Sequence, residues 1–203
     1  MVRLGMIIDL KRCIGCDSCT LACKSEQGTP KGVLFSRVYR KLYGEYPKVK
    51  GFFLPVLCNH CENPSCEKTC PTRAIYRTKD GVVLIDEEKC SGVRACVSAC
   101  PYGAMFFPLE DGYFPNKMTV YEEFHNKYRK KDVALKCNLC YHRLKEGKEP
   151  ACVVACPTEC RIFGDLDDPN SKPNRYIRER KPQVKPLPLR PETGNKPKIL
   201  YLP

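Results

Sequence analysis

Sixteen cysteines in a chain of 203 residues constrain this fold more than any other feature of the sequence. All but Cys160 fall into four groups. The first is Cys13-x2-Cys16-x2-Cys19-x3-Cys23, and the second is Cys58-x2-Cys61-x4-Cys66-x3-Cys70-Pro71. The third is Cys90-x5-Cys96-x3-Cys100-Pro101, and the fourth is Cys137-x2-Cys140-x11-Cys152-x3-Cys156-Pro157. Small folds with many thiols and few large apolar side chains depend on disulfides or metal centres for stability.

The spacing within the groups favours iron–sulfur clusters. In a C-x2-C-x2-C-x3-C-P run, three thiolates bind one cluster from a tight loop, and the fourth binds a different cluster. Such runs therefore work in pairs, and four groups indicate two pairs. Structural zinc also uses C-x2-C knuckles, but it requires neither the third closely spaced thiol nor the crossing Cys-Pro. A disulfide framework is typical of secreted domains, and we expect no signal peptide before Cys13.

The pairing follows from the connector between the second and third groups. The segment AIYRTKDGVVLIDEEKC predicts strand, Asp80-Gly81 turn and strand, as in a compact two-cluster ferredoxin module over about Leu57 to Phe107. The first group then pairs with the fourth. We predict four thiol sets: set I (Cys13, Cys16, Cys19 and Cys156), set II (Cys23, Cys137, Cys140 and Cys152), set III (Cys58, Cys61, Cys66 and Cys100) and set IV (Cys70, Cys90 and Cys96).

Set IV has three thiols because Val93 stands where the third group would supply another cysteine. The simplest interpretation is a [3Fe–4S] cluster in set IV and [4Fe–4S] clusters in the other three. A four-iron cluster with water or hydroxide at the open corner is an alternative, and a degenerate, empty site is another. Cys160 is predicted to be a small buried apolar residue, with a role as substitute ligand as the alternative.

The formal net charge of +12 raises nucleic acid or an anionic membrane as a partner. Four clusters with their thiolates would carry about −2 each, which leaves a net charge of about +4. The basic residues then serve largely as counter-charge, and we expect no nucleic-acid partner. No segment reaches the 18 apolar residues of a membrane span. Membrane attachment is therefore expected only through a partner.

The sequence resembles one family closely. The phrases RLGMIIDLKRCIGCDSCTLACK, CPTRAIYRTKDGVVLID, CPYGAMFF and CNLCYHRLKEGKEPACVVACPTECRIFGDLDDP carry the resemblance, which runs from Arg3 to about Asp168. The chain looks like the four-cluster iron–sulfur subunit of molybdenum or tungsten bis-pterin oxidoreductases of the dimethyl sulfoxide reductase superfamily. Within it, the polysulfide, thiosulfate and respiratory arsenate reductase branch is nearest.

The resemblance implies a non-catalytic electron-transfer subunit. Its expected partners are a large bis-pterin catalytic subunit, with the set I cluster nearest, and a polytopic quinone-reactive membrane subunit, with set IV nearest. The expected location is peripheral to a membrane, on a side that the sequence leaves open. The alternative is the electron-transfer subunit of a hydrogenase, formate or carbon monoxide dehydrogenase system. A zinc-structured nucleic-acid binder is a rival from another class.

The expected fold class is α+β, with two ferredoxin-like two-cluster modules, loop insertions and an extended C-terminal tail. Residues 1–50 form the first part of a discontinuous module, and residues 51–107 form the central module. Residues 108–165 contain an insertion and the second part of the discontinuous module. Residues 166–203 are predicted to be a Pro- and Lys-rich strap along a partner, and a metal-free chain is expected to be largely unfolded. Candidate groups next to the cysteines are His60, His142, Lys89, Arg94, Lys136 and Arg143.

Overall fold

The computed structural model describes residues 2–108, 113–114, 117–126 and 130–203. The strands of this part of the chain are β1 (Leu4–Asp9), β2 (Arg37–Tyr43), β3 (Lys50–Val56), β4 (Ile75–Arg77), β5 (Val83–Ile85), β6 (Met105–Phe106), β7 (Leu135–Lys136), β8 (Arg161–Asp165), β9 (Leu187–Pro188) and β10 (Ile199–Leu202). The helices are α1 (Ser18–Gln27), α2 (Ser65–Lys68), α3 (Ala95–Ala99), α4 (Val120–Asn126), α5 (Tyr141–Lys145), α6 (Ala151–Val154) and α7 (Lys172–Arg180). Helices this short are marginal alone, so tertiary contacts maintain them.

One four-stranded sheet brings the two ends of the chain together, in the order β8-β1-β10-β9. Strand β1 is antiparallel to β8, with Ile7 opposite Ile162, and parallel to β10, with Met6 opposite Ile199. Because β1 lies just before the first cysteine group and β8 just after the fourth, this sheet holds the two groups in one part of the fold.

The two faces of this sheet have different coverings. Successive side chains of a strand point to opposite faces. Met6 and Ile8 pack into an apolar core that contains several cysteines of sets I and II. Ile7 packs on the other face with Leu202, where residues of helix α7 cover it. The thiols therefore form one wall of the core.

The C-terminal residues differ from the expected extended tail. Helix α7 forms within this region, with Ser171 as its N-cap: the Ser171 hydroxyl accepts a hydrogen bond from the backbone N–H of Asn174. Strand β10 pairs with β1 and β9, and both Ile199 and Leu202 are fully buried. For strand β10, the prediction of a strap along a partner is wrong, because its apolar side chains complete the chain's own sheet.

Three antiparallel hairpins complete the fold: β2–β3, β4–β5 and the longer-range pair β6–β7. Hairpin β4–β5 confirms the predicted strand–turn–strand connector, with Gly81 at a φ of 79° in the turn. Hairpin β2–β3 occupies most of the Lys24–Gly51 segment. Of the insertion that follows residue 107, residues 109–112, 115–116 and 127–129 lie outside the described residues.

The mixture of short helices, small hairpins and one mixed sheet confirms the predicted combination of α and β structure. Within the described residues, no helix combines the length and the apolar character that crossing a bilayer requires.

Candidate metal centres

The four cysteine loops share one backbone feature. A residue in the left-handed conformation lies directly before the second ligand position of each group: Gly15 (φ 70°), His60 (φ 42°), Gly92 (φ 71°) and Leu139 (φ 55°). This conformation costs a residue other than glycine about 1–2 kcal/mol. The second positions that follow are Cys16, Cys61, Val93 and Cys140. The third loop therefore keeps the backbone of the other three although it lacks their thiol.

Glycine is required at two of these positions for space as well as for conformation. A Cβ atom on Gly15 would lie 2.4 Å from the ring of Phe53, and one on Gly92 would lie 2.7 Å from the backbone oxygen of Asp132. Contacts that short force the structure to shift. The loops of sets I and IV are thus closely packed against their surroundings.

The three Cys-Pro segments also form one repeated turn. The carbonyl oxygens of Cys70, Cys100 and Cys156 accept hydrogen bonds of 3.1–3.2 Å from the backbone N–H of the residue three positions later: Arg73, Gly103 and Glu159, respectively. Each of these donors has a positive φ. Cys23 differs, because it lies within helix α1 and is followed by Lys24 rather than by proline.

The four thiols of set III line a common cavity that encloses about 340 Å³. Burial raises the pKa of Cys61 to about 12, and the neighbouring thiols of Cys58, Cys66 and Cys100 act in the same direction. Mutual influence of this kind requires the four sulfurs to be near one another. Metal binding would replace the protons of these thiols.

The four thiols of set II also line a cavity, of about 280 Å³. Burial is again the largest cause that raises the pKa of Cys23 to about 12, followed by Cys152 and Cys140. The side-chain amide of Gln27 donates a hydrogen bond to the Cys140 sulfur over 3.4 Å. Helix α1 therefore supplies both a thiol and a donor to this cavity.

Set IV has three thiols that face one another across helix α3. Burial raises the pKa of Cys96, and the thiols of Cys90 and Cys70 raise it further. Val93 is 61% exposed and follows Gly92 on the outside of the loop. Its side chain has no donor atom, so the described protein offers no fourth ligand at this position.

Set I lies beside a fifth thiol. Burial raises the pKa of Cys13, with Cys19 as a further contributor, and Cys16 is exposed. The sulfur of Cys156 is 3.5 Å from that of Cys160, which is buried. The hydrogen bond to Cys160 is the main cause of a lowered pKa at Cys156. Cys160 is therefore buried, as predicted, but it lies at set I.

Successive sets are neighbours. Burial is the main cause that raises the pKa of Cys152 in set II, and Cys19 of set I contributes. The pKa of Cys137 in set II is raised by burial and then by Cys23 and by Cys58 of set III. Burial likewise raises the pKa of Cys66 in set III, and Cys96 of set IV is among the lesser causes. The sets thus follow one another in the order I, II, III and IV.

Unpartnered polar atoms are found at the same places. In the described part of the chain, the buried side-chain nitrogen and oxygen atoms without a hydrogen-bond partner are Asn59 Nδ2 and Oδ1, His60 Nε2, and Arg161 Nε and Nη1. Asn59 and His60 line the set III cavity. Buried donors rarely stay unpaired. Donors and thiols around a cavity fit an iron–sulfur cluster, whose sulfurs accept hydrogen bonds.

All sixteen cysteines are free thiols. Among the described residues, no three His, Cys, Asp or Glu side chains converge closely enough to hold a single metal ion directly.

Of the other candidates that adjoin cysteines, two are buried. His60 is 1% exposed, and its Nδ1 accepts a hydrogen bond from the backbone N–H of Val83. Lys136 is buried between sets II and III and donates to the carbonyl oxygens of Val83 and Cys137. Other candidates have surface partners: Lys89 pairs with Asp86, Arg94 stacks on Phe107, and His142 and Arg143 both contact Glu26.

Sequence reasoning missed Arg161 and Asn59. Arg161 is 2% exposed and adjoins thiols of two sets, but its position next to Cys160 was the only signal in the sequence. Asn59 lies between Cys58 and Cys61, and its position inside a C-x2-C loop was a usable signal.

Comparisons with known proteins agree with this geometry. A family model described as a 4Fe-4S dicluster domain matches residues 49–120 and 115–166, and a 4Fe-4S binding domain matches residues 10–32. The arsenate respiratory reductase iron-sulfur subunit ArrB of Shewanella sp. (strain ANA-3) is 37% identical, over 99% of this chain and 96% of the relative. A subunit of the tetrathionate reductase of Salmonella typhimurium is 38% identical, over 98% and 72%. A subunit of the selenate reductase of Mesobacillus selenatarsenatis is 39% identical, over 97% and 70%.

These similarities extend over almost the whole chain, and the matched domains contain all four cysteine groups. The chain therefore belongs to the iron–sulfur subunits of the dimethyl sulfoxide reductase family.

Proposed function

We propose that this chain is the electron-transfer subunit of a respiratory oxidoreductase whose catalytic subunit carries a molybdenum or tungsten bis-pterin centre. When bound, each iron–sulfur cluster carries one electron at a time. The observation that carries the proposal is the series of thiol sets in which each set adjoins the next. The names of the relatives, which are subunits of arsenate, tetrathionate and selenate reductases, support the same class of complex.

The proposed ligands are those of the four sets. Sets I, II and III each provide four thiols for a [4Fe–4S] cluster, and set IV provides three for a [3Fe–4S] cluster. The cavities lined by all four thiols of sets II and III support two of these assignments. The shared left-handed residue before each second position supports the view that Val93 replaces a ligand within an otherwise intact loop.

The two-module organisation is part of the proposal. Pairing of β1 with β8 supports a discontinuous module made from residues 1–50 and 108–165. The central module, residues 51–107, contains the β4–β5 hairpin and sets III and IV. Pairing of β6 with β7 joins the third cysteine group to the fourth, and so links the modules. Residues 166–203 provide α7 and two strands, and the remaining exposed part, including Leu187, is proposed to contact partners.

Hairpin β2–β3, close to set I, is proposed to bind the catalytic subunit. Arg40 holds the hairpin to the first cysteine loop through the carbonyl oxygen of Gly15 and the carboxylate of Asp17. Three apolar side chains are exposed on this loop, on helix α1 and on the hairpin: Ile14, Leu21 and Leu42. Residues 37–56 include five Lys or Arg and one Glu. An acidic surface with an apolar centre on the partner would complement this region.

At the opposite end of the series, set IV is proposed to lie nearest a polytopic membrane subunit that reacts with quinone. The family resemblance supports this placement, which gives the complex a peripheral membrane location.

Purification of the native complex from anaerobically grown cells, through a tag on this chain, tests the function. We expect a large subunit that contains molybdenum or tungsten and releases a pterin on denaturation. Co-purification of a nickel protein instead would contradict the proposal and support the hydrogenase or carbon monoxide dehydrogenase alternative. A chain that binds zinc and nucleic acid would support the third class.

A further inference from the structure

Arg161 is a buried cation between sets I and II. It is the first residue of β8, lies opposite Ile8 in β1, and is 2% exposed. One of its terminal nitrogens, Nη2, donates hydrogen bonds to the Cys19 sulfur over 3.3 Å and to the Ser36 hydroxyl over 3.0 Å. The first contact belongs to set I.

The rest of the guanidinium group lacks a partner. Nε and Nη1 have no hydrogen-bond acceptor among the described residues, and no Asp or Glu of that part of the chain forms an ion pair with Arg161. Leaving donors of a buried charge unpaired costs several kcal/mol. Such an arrangement is retained where another group accepts these hydrogen bonds.

The charges around Arg161 come from sulfur. Burial alone would lower the pKa of Arg161, but the thiolates of Cys152, Cys19 and Cys160 outweigh it and raise that pKa. Cys152 belongs to set II and Cys19 to set I. The positive charge therefore faces thiols of both sets at once.

We propose that Arg161 is a shared positioning residue of the two clusters in the discontinuous module: its Nε–H and Nη1–H groups donate hydrogen bonds to cluster sulfurs, and its charge favours the reduced state of both clusters. This inference rests on the proposed cluster sites. Adding one electron makes a cluster and its thiolates more negative by one charge, and a fixed buried cation stabilises that form. Cluster potentials respond to nearby charge and to hydrogen bonds on sulfur.

The test is redox potentiometry of the cluster-loaded protein, followed by electron paramagnetic resonance (EPR), with Arg161→Gln, Arg161→Lys and a control. Arg180→Gln removes the same charge from an exposed position at the end of α7. In Arg161→Gln we expect two of the four centres to become at least tenfold harder to reduce, a shift of about 59 mV for one electron. We expect Arg161→Lys to recover part of the shift and Arg180→Gln to leave all four centres unchanged.

A loaded Arg161→Gln protein in which all four potentials remain at the wild-type values would overturn the inference. Absence of iron and sulfide from the wild-type protein would instead contradict the proposed function. If Arg161→Gln does not assemble, wild-type protein labelled with guanidino-¹⁵N decides the matter. Pulsed EPR must then detect ¹⁵N coupling in a reduced centre that Arg161→Lys removes, and lack of that coupling overturns the inference.

Discussion

Val93 occupies in the third cysteine loop the position that Cys16 occupies in the first. The residue before each is glycine, with φ of 71° at Gly92 and 70° at Gly15, and the residue after each is also left-handed, with φ of 64° at Arg94 and 60° at Asp17. Both side chains are exposed. The two loops thus differ in the ligand atom and not in the backbone that presents it.

Replacing Val93 by cysteine should therefore complete set IV. The thiol would arise on a loop that already has the required backbone, so we expect the iron content to rise from about 15 to about 16 per chain. The EPR signal of an oxidised three-iron centre should disappear. Val93→Ala, which adds no donor, is the control and should keep that signal. A Val93→Cys protein with unchanged iron and signal would show that the loop does not present this position to the cluster.

Cys160 and Cys156 provide a matched pair within set I, because their sulfurs are 3.5 Å apart. Cys160→Ala removes a small buried side chain that is not a proposed ligand, and we expect the full iron and sulfide content and four EPR-detectable centres. Cys156→Ala removes a proposed ligand and should lose the set I centre or convert it to a three-iron form. The reverse pattern would identify Cys160 as the ligand.

The hairpin region beside set I should be needed for assembly of the complex. Leu42 is 68% exposed, so Leu42→Asp should leave the folded, loaded chain intact while it places a desolvated charge in the proposed interface. We expect at least a tenfold loss of catalytic subunit recovered with the tagged chain. Val2→Asp, at another exposed apolar position, is the control. Equal recovery with both variants would place the interface elsewhere.

The final strand should contribute strongly to stability. Ile199 is fully buried between β1 and β9, so Ile199→Ala should cost about 2–5 kcal/mol through lost burial and a cavity. Leu187→Ala, in the neighbouring strand but 54% exposed, should cost less than about 0.5 kcal/mol. The measurement is the temperature at which the visible absorption of the loaded protein bleaches. Similar temperatures for both variants would mean that β10 is not held in the sheet in solution.

Features set by local sequence could be predicted, and features set by long-range pairing could not. The strand–turn–strand connector around Gly81 and the Val93 substitution depend on a few adjacent residues, so spacing and turn chemistry sufficed. Strand β10 is a short apolar run after a Pro- and Lys-rich segment, and such runs are ambiguous by periodicity alone. Its partner β1 lies at the other end of the chain. Arg161 is buried only because β8 pairs with that same strand.

The most direct test of the account is a count of iron, zinc and acid-labile sulfide in anaerobically purified protein, normalised by amino-acid analysis. The account predicts brown protein with about 15 iron atoms and about 16 sulfides per chain, from three four-iron centres and one three-iron centre. Colourless protein that contains zinc and no labile sulfide would contradict it.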